Sequence, residues 1–140
     1  MSSAALFEEG EEFVDAEMFA DALDSFQAAW DALPEPKADQ EQAIQICAAI
    51  SDCYFHLESW SACHDAMQNA LRCGASVGNP FVRLRLGQSL YELGNEREAA
   101  NWLVPVYLME GRAPFEDDPK YLEFFRGKLA PPEGGWPEGW

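Results

Sequence analysis

The stretch Asn79-Pro80-Phe81-Val82-Arg83-Leu84-Arg85-Leu86-Gly87-Gln88-Ser89-Leu90-Tyr91-Glu92-Leu93-Gly94-Asn95-Glu96-Arg97-Glu98-Ala99-Ala100-Asn101-Trp102-Leu103 decides how the chain is read. Asn79 can cap a helix and Pro80 is acceptable at its first position. Leu86-Gly87 then places a small residue where a second helix can come close. Gly94-Asn95 turns the chain, and Ala99 supplies the tight contact on the returning helix. The pattern predicts two helices folded back on each other. Pro105, inside the second, is expected to kink it or shorten its regular part.

These residues resemble one helix-turn-helix unit of the tetratricopeptide (TPR) family. The same pattern lies upstream. Leu6, Phe7, Gly10, Phe13 and Val14 recur at helical spacing, as do Phe19, Ala22, Leu23, Phe26, Ala29, Trp30 and Leu33. Gly10, Phe13, Phe19, Ala22, Phe26, Ala29 and Pro34 all fall on family positions. Pro34-Glu35-Pro36 ends the second helix, and residues 35–41 form a polar link longer than the family's usual one. A weaker unit follows, with Ile46, Ile50, Tyr54 and Leu57 on one stripe, Ser51 at the small position, Cys63 in place of Ala, and Glu58-Ser59 where a turn glycine is expected.

Downstream, Asp118-Pro119 has the form of a helix start, and Tyr121, Leu122, Phe124, Phe125 and Leu129 supply an apolar face able to cover the last hairpin. The resemblance implies an all-α fold of three TPR repeats, at about 3–36, 44–77 and 80–113, coiled into a short right-handed superhelix. A capping helix at about 118–129 closes a single domain over 1–129, and a Pro/Gly/Trp tail occupies 130–140.

A chain of 140 residues with 48% apolar side chains can bury a core without metal or disulfide. The formal net charge is -16, and the acid is concentrated early: residues 1–36 hold Glu8, Glu9, Glu11, Glu12, Asp15, Glu17, Asp21, Asp24, Asp31 and Glu35 and no Lys or Arg. This distribution argues against nucleic acid and membrane surfaces as partners and favours a basic protein. The N-terminus lacks the basic segment and apolar core of a secretory signal, and apolar stretches such as Cys47 to Ile50 are too short to span a bilayer. The expected location is cytoplasmic. Cys47, Cys53, Cys63 and Cys73 then read as small buried hydrophobes.

Chemistry is sparse. Cys53 with His56, and Cys63 with His64, invite a metal or nucleophile hypothesis, but zinc needs four converging ligands and adjacent helical residues diverge by roughly 100°. No phosphate loop or nucleophile elbow is present. No catalytic residue, metal or cofactor is expected, and the chain reads as a binding protein and not an enzyme. In TPR proteins the first helix of each pair lines the concave face. Position by position, that gives Phe7, Glu11, Val14 and Asp15, then Gln45, Ala48, Asp52, Phe55 and His56, then Phe81, Leu84, Gln88, Tyr91 and Glu92. The result is an aromatic groove edged with carboxylates, suited to a segment carrying Lys or Arg. TPR proteins that bind the acidic ends of heat-shock chaperones use a clamp of Lys, Asn and Arg. Here Phe7 and Glu11 stand at the first-repeat clamp positions and only Arg85 matches in the third, so a carboxylate-terminated ligand is expected to be repelled. Trp136 and Trp140 are further candidate contacts.

The whole chain resembles small stand-alone bacterial TPR proteins, through Gly78-Asn79-Pro80-Phe81, Phe115-Glu116-Asp117-Asp118-Pro119-Lys120-Tyr121 and Pro131-Pro132-Glu133-Gly134-Gly135-Trp136, among other segments. Proteins of this kind are often encoded beside polymorphic or Rhs-type toxins, which implies an immunity protein that binds and neutralises a cognate toxin. The alternative is a TPR chaperone of the type III secretion kind, or a general assembly scaffold.

Overall fold

A computed structural model describes residues 1–127. Seven α-helices follow in order: α1 Ser3–Asp15, α2 Phe19–Asp31, α3 Ala43–His56, α4 Trp60–Arg72, α5 Pro80–Glu92, α6 Glu96–Glu110 and α7 Pro119–Arg126. Single 3-10 turns lie at Lys37–Asp39 and Ala113–Phe115, and no strand occurs among the described residues. Each of α1 to α6 packs on its neighbours in sequence, so the hairpins α1–α2, α3–α4 and α5–α6 stack side by side. The tail at 130–140 lies outside the described residues, as do 128 and 129 of the expected capping helix.

One small residue sets the spacing within every hairpin. A Cβ on Gly10 would sit 2.4 Å from the Phe26 ring, and one on Gly87 would sit 2.4 Å from Leu103. Ser51 holds the same place in α3, fully buried, and its hydroxyl donates to the Cys63 carbonyl at 2.9 Å. That bond satisfies the one polar group this contact buries. Ala22, Cys63 and Ala99 face these positions, each with no exposed surface.

The turns within the hairpins share one geometry. The amides of Met18, Ser59 and Asn95 donate to the carbonyls of Phe13, Tyr54 and Leu90 at 2.8, 2.9 and 2.9 Å. Closing such a helix end requires one residue in left-handed backbone. Gly94 provides it in the third hairpin (φ 87°), but Glu17 (φ 57°) and Glu58 (φ 58°) are forced into it in the first two. Helix starts are also specified locally. Asn79 Oδ1 accepts from the Phe81 and Val82 amides at 2.9 and 3.2 Å, as expected. Asp118 precedes the Pro119 start of α7 without a capping bond from its side chain.

Pro105 does not shorten α6, which continues through it to Glu110. A proline at this position removes the hydrogen bond to the carbonyl one turn back, that of Asn101. Arg83 of α5 replaces it: Nη2 donates to the Asn101 carbonyl at 2.8 Å, Nε to the Trp102 carbonyl at 3.3 Å, and the guanidinium lies 4.7 Å over the Trp102 ring. Trp30, Trp60 and Trp102 are half-buried. Their edges close the core, while Phe26, Phe115, Tyr121 and Phe125 fill it.

Two stability predictions follow from these contacts. Glu58→Gly should raise the unfolding free energy by about 0.5–1 kcal/mol by relieving the left-handed glutamate, and an unchanged or lower denaturant midpoint would contradict the turn argument. Arg83→Met should cost about 1 kcal/mol, and less in a Pro105→Ala background where residue 105 regains its amide. A double-mutant cycle with no coupling would show that Arg83 does not stand in for the missing bond.

Candidate functional site

The face built by α1, α3 and α5 divides into an open end, a bridged middle and an end that the chain itself covers. At the open end, Phe7, Glu11, Val14 and Asp15 of α1 meet Ala49 and Asp52 of α3 over the Phe26 ring, enclosing a concavity of about 190 Å³. Phe7, Val14 and Phe26 supply its apolar floor, while Glu11 and Asp15 are exposed. Among the described residues no ion pair engages Glu11 or Asp15.

The middle is bridged by Arg85. Its Nη2 donates to Asp52 Oδ1 at 2.6 Å, and Nη1 donates to Gln88 Oε1 at 2.7 Å. The guanidinium lies 4.0 Å over the Phe55 ring and 5.2 Å from that of Phe81. Its Nε is buried without an acceptor. His56 sits 3.7 Å from the other Asp52 oxygen and stacks on Phe19 with ring centres 4.2 Å apart. Arg85 is therefore the hub of the groove, although the sequence reading gave it weight only as an isolated clamp match. Its spacing to Phe81 and Gln88, four and three residues away on one helix, was the available signal.

At the far end α7 lies over residues read from sequence as partner contacts. Tyr121 Oη donates to Glu92 at 2.9 Å, and Lys120 Nζ pairs with the same carboxylate. The Tyr121 ring packs 5.6 Å from Tyr91 and 6.4 Å from Phe55, and Phe124 packs 4.6 Å from Tyr91. Phe55 and Gln88, expected to face the groove, are instead buried at 7% and 2% exposure. Arg85 and α7 lie over them, because two aromatic rings and a cation stack here in a way helical periodicity does not reveal. Tyr91 and Glu92 are half-buried by the same helix, while Phe81 stays exposed at the opposite end of α5. Trp136 and Trp140 lie outside the described residues.

Three of the four thiols are held neutral by burial. Burial pushes Cys47 and Cys53 up to about 12 and raises Cys63, so none is a thiolate at neutral pH. Cys53 is buried away from His56's exposed ring, and the Cys63 sulfur faces Ser51 at 3.4 Å. Among the described residues, no group of three or more His, Cys, Asp or Glu is placed to hold a metal ion, and no helix is long and apolar enough to cross a membrane.

The sequence matches no protein-family model and no curated protein. The structure does have counterparts. It superposes on the first TPR of Spaghetti (RPAP3), bound to the HSP90 peptide SRMEEVD, with a TM-score of 0.67 over 91% of this chain and 96% of that one, at 16% identity. The chain has a TPR fold. A second TPR-like neighbour, the crystal structure of MamA, aligns with a TM-score of 0.64 over 89% of this chain and 74% of that one, at 13% identity. The hairpins and their small-residue contacts are thus those of TPR repeats, closed at the C-terminal side by α7.

The α7 contact has a pH signature. Burial raises the Tyr121 hydroxyl above its ordinary value, helped by its bond to Glu92, and the same carboxylate raises Lys120. A group whose pKa is raised by folding contributes stability that is complete below its unfolded value and fades as pH climbs above it. Stability should therefore fall above pH about 10 as the unfolded tyrosine begins to ionise. Tyr121→Phe should flatten that fall while costing about 1 kcal/mol at pH 7. An unaltered alkaline limb in the variant would refute the assignment.

Proposed function

We propose that the chain is a non-enzymatic protein-binding module of the immunity type, which captures a basic bacterial toxin domain on the face of α1 and α3 and blocks it. The observation that carries this reading is the concavity where exposed Glu11 and Asp15 flank Phe7 and Val14 with no ion-pair partner among the described residues. An apolar floor with an acidic rim suits a loop or helix presenting Lys or Arg beside an apolar side chain, and single-sign charge speeds capture of an opposite surface. TPR folds bind peptides, as the Spaghetti (RPAP3) domain does with SRMEEVD. That ligand ends in acids, which Glu11 and Asp15 repel, so a basic ligand is the one favoured here.

The covered end of the face narrows the contact set. Asp52 is engaged by Arg85, and Glu92 by Tyr121 and Lys120. Glu11, Asp15 and Phe7 are then the residues that contact the toxin, with His56 and Phe81 flanking them.

Co-expression with the toxin domain encoded beside this gene should restore growth of poisoned cells, and a neighbourhood without a toxin gene would remove the immunity reading. With the toxin in hand, Glu11→Lys combined with Asp15→Lys should slow association about tenfold and flatten its dependence on salt. Wild-type association by that variant would place the contact elsewhere.

A further inference from the structure

The stack carries a second concavity, walled by α2 and α4 with α3 as its floor, and larger at about 510 Å³. Cys47, Ile50 and Tyr54 line the bottom, and Trp30 and Ala66 form the sides. Asp31 and Asp65, both exposed, line it from the two walls, one on α2 and one on α4. Among the described residues, no basic side chain lines it. Beside the groove, Lys37 Nζ donates to the carbonyls of Trp30, Asp31 and Leu33 at 3.2, 3.1 and 2.9 Å, and His64 Nδ1 lies 3.7 Å from Asp65 Oδ1.

This groove is written into specific residues and is not a by-product of repeat stacking. In the register that aligns Ser51 with Gly87 and Cys63 with Ala99, Cys47 corresponds to Arg83 and Ala66 to Trp102. At that equivalent place the Arg83 guanidinium lies 4.7 Å over Trp102 and fills the space. Charge changes with it. Asp65 corresponds to Asn101, and in the matching register of the first two repeats Asp31 corresponds to Arg72. The first interval is therefore hollow and acidic where the second is filled and basic.

We propose that the α2–α4 groove is a docking site for a short segment of a partner protein, one that lowers a bulky apolar side chain over Cys47 and Ile50 and sets Lys or Arg against Asp31 and Asp65. Its volume lies within the roughly 300–1,000 Å³ typical of ligand clefts. Half-buried Trp30 and Tyr54 offer aromatic faces to the same cations, with the Tyr54 hydroxyl fixed by Gln27 at 3.0 Å. The site is separate from Glu11 and Asp15 and does not depend on what they bind.

The test uses the full chain and three fluorescein-labelled peptides that share a central Leu-Phe pair, flanked by lysines, serines or glutamates, read by anisotropy. The lysine-flanked peptide should bind, and the glutamate-flanked one should not. Ala66→Trp, which copies Trp102 at the equivalent position and so suits the scaffold, should abolish binding. Asp31→Asn with Asp65→Asn should weaken it about tenfold. Glu11→Lys with Asp15→Lys should leave it unchanged. Binding that survives Ala66→Trp, or that is lost in the Glu11/Asp15 variant, overturns the proposal, as does no binding by any peptide. Self-association abolished by Ala66→Trp, with no peptide bound, would make a second copy the occupant. Peptide binding seen only after Trp136→Ala and Trp140→Ala would make the chain's own C-terminal segment the occupant. Either result also overturns it.

Discussion

Everything in this molecule rests on how closely two helices can approach at one point of each hairpin. Gly10, Ser51 and Gly87 set that distance, and two of the three have no room for a single added carbon. Close approach lets Phe26, Met67 and Leu103 cross from the second helix into the interior, where each is buried to 2% exposure or less. A larger residue at the contact would push the helices apart and strand those side chains in a cavity. Ser51 shows that the requirement is size first and chemistry second, since its hydroxyl is tolerated only because the Cys63 carbonyl accepts from it at 2.9 Å.

The parts of the fold governed by local spacing were legible in the sequence. Small residues at matched positions, Asn79 with Pro80, and the turn at Gly94 each act within a few residues of where they stand, so a linear reading captures them. Glu58 was legible as an oddity, and the structure supplies its backbone angle. Pro105 does not shorten α6 because the compensation comes from Arg83, far away in sequence and reached only once α5 and α6 are packed. The site was less legible for the same reason. Phe7, Glu11 and Asp15 share a helix and were placed together by periodicity alone, whereas burial of Phe55 and Gln88 depends on Arg85 and on α7 meeting them from other elements.

Charge is sorted along the same geometry. On this face, the carboxylates that have partners, Asp52 and Glu92, hold α3, α5 and α7 in register, through Arg85 in one case and Tyr121 with Lys120 in the other. The carboxylates of α1 lie outside that network. Internal pairing in the middle of the stack and unpaired acid at its first end are two uses of one residue type, and burial separates them: Asp52 and Glu92 are partly enclosed, Glu11 and Asp15 are open to water.

The seventh helix gives the face of α1, α3 and α5 a length limit. With Tyr121, Phe124 and Lys120 seated on Tyr91, Phe55 and Glu92, a short ligand can occupy the α1–α3 end without disturbing the chain. A ligand long enough to run the full face must first lift α7, and its apparent affinity falls by the fraction of molecules in which that helix is undocked. Under the proposed function, the chain sorts its ligands by reach as well as by charge, with one helix as the gauge.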